Sequence, residues 1–289
     1  MNKGNRGHTS ALYVWNGLSI FWGTSFHTDP HHHNTLQIVF DIDKEFLLKD
    51  EPTEWTSYSS AIIDAGHTHQ LDSNHSIQLF IYLDKDSMYA QKIREKYLSD
   101  VAICSLQASE MRNLSNDFFK QLLVSSDCEA LYQGCHTILS HIIDIEPLLK
   151  TDNRVKKAVS FIINHPNKQL KVKDIAQHVH LSESRLRHLF KEQVGQPIQN
   201  FMLWMKVVNS LNLVLKGEQL TQVAHDSGFW DSSHMNRSYK ELLGVAPGSI
   251  QQYVDDLKII SCNTSNFYSF RTKIFNNWDS KSPTTIIDT

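Results

Sequence analysis

The chain has 289 residues, 40% hydrophobic and 20% charged, which is enough apolar content for two domains with cores of their own and excludes a disordered, charge-rich chain. Its formal net charge of −3 would disfavour nucleic acid if it were uniform, but residues 152–254 hold 13 Lys or Arg against 8 Asp or Glu, and the rest of the chain holds 15 against 23. A basic module beside an acidic one is the electrostatic footprint expected of a DNA binder with a separate sensing half.

No apolar run approaches the roughly 20 residues needed to cross a bilayer, and the start shows no charged leader followed by an apolar core. Cys104, Cys128, Cys135 and Cys262 have neither CxxC nor zinc-finger spacing. The expectation is a cytoplasmic protein with reduced thiols.

In chain order, the first third consists of short apolar or alternating runs broken by polar turns: Leu12 to Val14, Leu18 to Trp22, Leu36 to Phe40, Phe46 to Leu48, Ser60 to Asp64 and Ile77 to Leu83. Such spacing predicts strands of a β-sandwich or barrel, not βα units. Within it lie His31-His32-His33, then Gln37, and later Gly66-His67-Thr68-His69. Three imidazoles on neighbouring strands could hold a divalent transition ion. Equally, the histidines could cap strands or line a polar pocket mouth. Trp22, Phe26, Phe40, Trp55 and Phe80 are candidates for the cavity wall or for plain core.

From Ser87 the period changes. Met88 to Leu98, Ala108 to Leu123 and Glu129 to Ile143 show apolar spacings of three and four and predict helices, which would either pair two subunits or cover the open face of the barrel. A hinge is expected near Pro147 to Asn153.

The segment from Val172 to Pro197 is echoed by that from Leu220 to Pro247, and each copy reads as a helix-turn-helix. Ala176 and Leu181 match Ala224 and Phe229 at an offset of 48, while Ser182 and Phe190 match Asp231 and Tyr239 at 49. Ser182 and Asp231 stand at N-cap positions, and Gly195 and Gly244 follow the last turns. Leu186, Leu189 and Phe190 share one face of the second helix of the first copy, as Met235, Ser238 and Tyr239 do in the second. The opposite faces offer Ser184, Arg185, Arg187, His188 and Lys191, then Ser232, Ser233, His234, Asn236, Arg237 and Lys240, whose donors suit base edges and phosphates. Between the copies, Ile198 to Leu215 predicts one long helix that would hold the two heads apart.

From about Val155 to Tyr253 the chain resembles the DNA-binding domain of AraC/XylS-type bacterial transcription regulators. The matching residues include Asp174-Ile175-Ala176, Leu181-Ser182, Leu186, Phe190-Lys191 and Gly195, then Val223-Ala224, Gly228-Phe229, Ser233-His234, Arg237, Lys240 and Gly244 to Pro247. Departures are Lys206 and Ser210, where the family usually has Arg and Ala, the unusual Trp230 and Met235, and Tyr239 in place of a common Phe. The histidine segment resembles the cupin barrel: His31, His33 and Gln37 fall in the three ligand slots of its first motif and His69 in its second, with Gln37 replacing a carboxylate and Asp64 replacing a Pro. Regulators of this type commonly carry a cupin-like effector domain.

The two resemblances together imply an α+β protein: a cupin-like effector-binding barrel over residues 1–84, a helical dimerisation or linker region over 85–150, an all-α double helix-turn-helix DNA-binding domain over 151–254 and a tail over 255–289. They imply a ligand-responsive regulator, not an enzyme, with operator DNA, a small-molecule effector, a second copy of itself and RNA polymerase as partners and no membrane. His31, His33, Gln37 and His69 would bind the effector, or His31, His33 and His69 a metal. The rival is a metal-dependent cupin enzyme with an appended DNA-binding domain.

Overall fold

A computed structural model of the chain describes residues 10–24, 27–50, 54–106, 109–143, 152–165, 170–243, 246–252, 257–262 and 285–286. The first part is built from β1 (Ser10–Trp15), β2 (Leu18–Thr24), β3 (Thr35–Asp41), β4 (Phe46–Lys49), β5 (Thr56–Tyr58), β6 (Ser60–Ile63), β7 (Gln70–Asp72), β8 (Ile77–Asp84), α1 (Met88–Tyr97), β9 (Ile103–Ser105), α2 (Ser109–Val124) and α3 (Cys128–Ile142). The second is helical: α4 (Asn153–Asn164), α5 (Val172–His178), α6 (Glu183–Val194), α7 (Ile198–Leu215), α8 (Leu220–Asp226), α9 (Ser232–Leu243) and α10 (Pro247–Gln252). Two further strands follow, β10 (Leu257–Ser261) and β11 (Thr285–Ile286). The chain is therefore α+β, with every apolar run read as a strand found as one.

One sheet has the order β11-β10-β1-β2-β8-β3-β6-β9, and a second has the order β5-β4-β7. Because successive side chains on a strand face opposite ways, each long strand serves two cores. Tyr13, Trp15, Ile20, Trp22, Leu36, Ile38, Phe40, Leu79 and Ile81 face α1, α2 and α3, and pack with Phe118, Phe119, Leu131 and Ile138. On the opposite face Val39, Ala61, Ile63 and Phe80 meet Phe46, Leu48 and Leu71 of the smaller sheet. Trp22 and Phe40 thus belong to the helix-facing core, where the Trp22 ring meets the Phe119 ring edge-on at 5.4 Å. Of the five aromatics proposed for the cavity wall, Phe80 faces the space between the sheets, Trp55 lies against His27, and Phe26 falls outside the described residues. The apolar faces of α2 and α3 are occupied by the sheet, so these helices act as its cover.

The segment beyond 254, expected to be a tail, contributes a strand. β10 runs parallel to β1, Ser10 opposite Leu257 through Val14 opposite Ser261. The aromatic residues Phe267, Phe270, Phe275 and Trp278, with Ile274, read as a possible docked helix, lie outside the described residues. Cys262, just past β10, is joined to Cys128 at the start of α3 by a disulfide across 134 positions. This corrects the expectation of reduced thiols. The spacing of the cysteines carries no trace of the pairing, because the β1–β10 ladder returns Cys262 to the core that already holds Cys128 of α3.

In the helical part, Val155, Ala158, Ile175, Leu186, Phe190, Ile198 and Phe201 form one core around α4 to α7. Val207, Leu211, Val223, Phe229, Met235 and Tyr239 form another around α7 to α10, joined by Val14 and Ile259 of the sheet. Helix α7 belongs to both, which fixes the two helix pairs to a single rod.

Candidate functional site

The repeated motif folds the same way twice. In the first copy Leu181 N donates to Ala176 O at 2.9 Å and His180 N to Gln177 O at 3.2 Å; in the second Phe229 N donates to Ala224 O at 2.9 Å and Gly228 N to His225 O at 3.1 Å. His180 and Gly228 occupy the matching turn position with φ of +55° and +78°, a left-handed conformation that suits glycine and costs histidine some strain. Ser182 caps α6 by accepting from Arg185 N, and Asp231 caps α9 by accepting from His234 N at 2.6 Å. Gly195 closes α6 at φ +84°. Gly244, expected to close α9, lies outside the described residues.

On both helices exposure separates an outward face, which holds the residues expected to contact DNA, from a packing face. Ser184, Arg185, His188 and Lys191 on α6 are exposed and Arg187 is half-exposed, while Leu186, Leu189 and Phe190 are buried. On α9, Ser233, Asn236, Arg237 and Lys240 are exposed, Ser232 and His234 are half-exposed, and Met235, Ser238 and Tyr239 are buried. Arg187 lies 3.4 Å from Glu183 one turn away, a solvated pair weak enough to exchange for a phosphate or a guanine. Beside it a cleft of about 470 Å³ runs from α5 to α7 and carries Lys171, Lys173, Arg187 and Lys206 against the single acid Glu183.

Two side chains beside the second copy were not among the contacts expected from the sequence. Trp230, immediately before the cap of α9, is 86% exposed, an unusual setting for an indole. Its signal was its oddness in the motif. Lys206 donates to Gly228 O at 2.6 Å and stands over the Phe229 ring, tying the rod to the turn of the second copy.

A helix-turn-helix domain family matches residues 175–253. The C-terminal domain is of the AraC/XylS type. Over 102 residues the chain is 30% identical to the arabinose operon regulatory protein of Escherichia coli (strain K12), covering 35% of each chain. It is 20% identical over 235 residues to the lactose operon transcription activator of Staphylococcus xylosus, covering 80% of each. Among solved structures, ToxT from Vibrio cholerae aligns over 83% of this chain and 98% of its own, with 11% identity and a TM-score of 0.42. The chain matches about a third of the length of the arabinose regulators. The AraC/XylS-type domain therefore covers the two helix pairs and their shared rod, and the sheet-rich part must be read on its own chemistry.

There the structure gathers His31, His33 and His69, expected from the sequence to share a site. His31 and His69 form an isolated antiparallel bridge, and the three rings lie 4.5 to 5.8 Å apart between centroids. One nitrogen from each falls within 4.8 Å of the others. His31 Nδ1 faces Asp29 O at 2.9 Å and His69 Nδ1 faces His67 O at 3.0 Å, so both Nδ1 atoms act as donors and both Nε2 lone pairs point elsewhere. His69 Nε2 is buried without a partner.

Burial, with neighbouring His31 and His69, lowers His33 to about 3; burial also lowers His69 to about 4 against the opposing bond to His67 O. Both are neutral imidazoles near neutral pH. Gln37 sits opposite Tyr82 on the strand ladder, its Oε1 buried and unpartnered, and the Tyr82 ring lies edge-on to His33 at 5.5 Å. Ligands about 2.1 Å from a tetrahedral ion stand roughly 3.4 Å apart, so with nitrogens up to 4.8 Å apart the cluster must contract by up to about 1.4 Å to close on one.

Proposed function

We propose that this protein is a ligand-responsive, sequence-specific DNA-binding transcription regulator of the cytoplasm. One observation carries the proposal: two capped helices, α6 and α9, hang on the same buried rod α7 and turn Arg and Lys donors outward at both heads. Ser184, Arg185, Arg187 and His188 would read one half-site, and Ser232, Ser233, Asn236 and Arg237 the other. Lys191 and Lys240, nearer the C-terminal ends, would hold phosphates. Equilibrium titration against duplex DNA at rising salt tests this. Lys191→Ala and Lys240→Ala should each flatten the slope of log affinity against log salt by roughly 0.9, and affinity that ignores salt would contradict the proposal.

In this reading residues 1–84 are a cupin-like effector barrel, 85–150 a helical region and 151–254 the DNA-binding domain. A homodimer and a contact with RNA polymerase complete the regulator, with Leu123 and Val124 at the exposed end of α2 as apolar surface open to a second copy. The effector would sit between the sheets, oriented by His31, His33, Gln37 and His69.

A second reading, a metal-dependent cupin enzyme with an appended DNA-binding domain, draws on the free Nε2 lone pairs of the histidine cluster. The neutral amide of Gln37 counts against it, since no carboxylate completes the set. The same donors fit a divalent transition ion or the acidic group of an organic effector, and metal analysis of untagged protein after equilibration with zinc separates the two. One equivalent of zinc, lost in the His33→Ala/His69→Ala double variant, is the metal result. No bound zinc, with effector response lost in the same variant, is the organic one.

A further inference from the structure

The helical domain is held by the sheet-rich part at both of its ends. It leaves α3 at Ile142 and begins at the Asp152 cap of α4; after α10 the chain returns as β10 and is stitched by Cys262 to Cys128, the first residue of α3. β10 lies between two cores. Ile259 packs against the α7 core, while Ile260 and Cys262 pack on the opposite side with Tyr13, Leu131 and Cys135. Besides the disulfide, the attachments are the five-residue pairing with β1, Cys262 N donating to Val14 O at 2.8 Å, and Lys258 Nζ donating to Ser126 Oγ at 3.1 Å.

We propose that Cys128 and Cys262 form a reversible thiol–disulfide site, with a low-molecular-weight thiol and its disulfide as co-reactants, whose oxidation state decides whether β10 can leave β1. Oxidised, the latch closes a covalent ring around the whole helical domain and fixes that domain on the sheet. Reduced, β10 is held, among the described residues, by one short parallel ladder, the hydrogen bonds of Cys262 N and Lys258 Nζ, and two isoleucines. The closed ring is long, and long rings carry the larger loop-closure entropy in the chain-entropy picture, so the covalent bond is a substantial part of what keeps the strand in place.

The chemistry balances as a two-electron exchange. Both sulfurs are buried, so attack follows fraying of the end of β10. A thiolate RS⁻ attacks Cys262 Sγ, the protein S–S bond breaks, and Cys128 leaves as a thiolate that takes a proton from solvent. A second RS⁻ attacks the R sulfur of the mixed disulfide, releasing R–S–S–R and the Cys262 thiolate, which is protonated in turn. Attack falls on Cys262 because it lies at the frayed end of β10, whereas Cys128 is held in the first turn of α3 behind the Asp127 cap. The other thiols do not compete. Cys104 is on β9 at the opposite edge of the sheet, and burial raises the Cys135 thiol far above its ordinary value.

The test uses the full chain, native, equilibrated in graded ratios of reduced to oxidised glutathione, then acid-quenched and alkylated in denaturant. Intact mass should move from two alkyl groups to four in one cooperative step, without denaturant during the equilibration. Hydrogen exchange on the same samples should speed at residues 10–14 and 257–262 by about tenfold or more on reduction, while the β3–β8 ladder keeps its protection. Cys262→Ser and Cys128→Ser should show the fast exchange even in oxidising buffer; if either fails to fold, the reduced wild-type chain still decides the matter. A bond that resists thiols until the protein is unfolded, or a reduced protein whose β10 exchanges no faster than the oxidised one, overturns the proposal.

Discussion

Ser210 and Tyr239 explain each other. Each departs from the residue usual in AraC/XylS-type domains, and each would bury a hydroxyl in an apolar core, but their oxygens meet at 2.7 Å between α7 and α9. Ser210 Oγ also donates to Val207 O at 2.9 Å, whereas Tyr239 has only a long second contact there at 3.4 Å. Removing one partner strands the other, and a stranded buried hydroxyl costs about 1 to 3 kcal/mol. Ser210→Ala should therefore destabilise more than Tyr239→Phe, and the double variant should recover most of the loss. Urea unfolding of the four proteins checks this, and strictly additive losses would contradict the coupling.

At this scale the packing face of the two capped helices was legible in the sequence: Leu186, Phe190, Met235 and Tyr239 are all buried. Legible too was the gathering of His31, His33 and His69, because motif spacing survives folding. The Ser210–Tyr239 bond was not, since nothing local links positions on different helices.

At the scale of elements, the joint between the two parts of the chain is a hairpin turn set into a helix junction. Trp15 pairs with Leu18, leaving Asn16-Gly17 as a two-residue turn with Gly17 at φ +79°, where a Cβ would lie 3.2 Å from the Gln196 side chain. Asn16 accepts from Gln196 Nε2 at 3.0 Å and donates to Phe201 O at 2.9 Å, while Met88 N donates to Gly195 O at 2.6 Å. Beside them Asp84, at the end of β8, is buried and accepts from Trp204 Nε1 at 2.7 Å and from Asn200 Nδ2 at 3.3 Å.

Burial raises the Asp84 pKa, outweighing the opposing hydrogen bonds. A carboxyl with a raised folded value favours the fold when protonated, so its contribution is complete below the ordinary value of 3.8 and is lost as pH rises through the raised one. Asp84→Asn, which cannot ionise, should flatten that part of the pH–stability curve, and Asp84→Ala should cost about 1 to 3 kcal/mol by stranding the Trp204 N–H. Denaturant unfolding across acid to neutral pH measures both, and parallel curves for wild type and Asp84→Asn would contradict this account of the joint. Strands such as β3 and β8 were legible from alternation alone, but β5, β7 and β9 are three residues each, too short to carry a period.

Across the whole molecule, an acidic sheet-rich part and a basic helical part follow the charge pattern, yet the sheet draws on both ends of the chain. β10 escaped detection because its five residues are flanked by polar sequence and its partner β1 lies almost the full chain length away. The consequence is mechanical. Helix α7 touches the sheet at Val14 and Ile259 and the joint at Trp204, so any ligand-driven change between the sheets has a packed route to the rod that carries both heads. Reading two half-sites from one rod sets a geometric demand on DNA, since recognition helices on one face of a duplex meet successive major grooves about 34 Å apart, or bend the duplex to do so.

Selection of bound sequences from a random duplex library by the full-length protein, followed by sequencing, tests that claim most directly. The wild type should enrich a bipartite motif whose halves are about 10 to 10.5 base pairs apart, centre to centre. Arg187→Ala should lose preference in one half and Arg237→Ala in the other, each at about 1 to 3 kcal/mol for the best base pairs. No enrichment over the starting library, or a complete bipartite motif retained by both variants, would contradict the assignment of α6 and α9 as the reading helices.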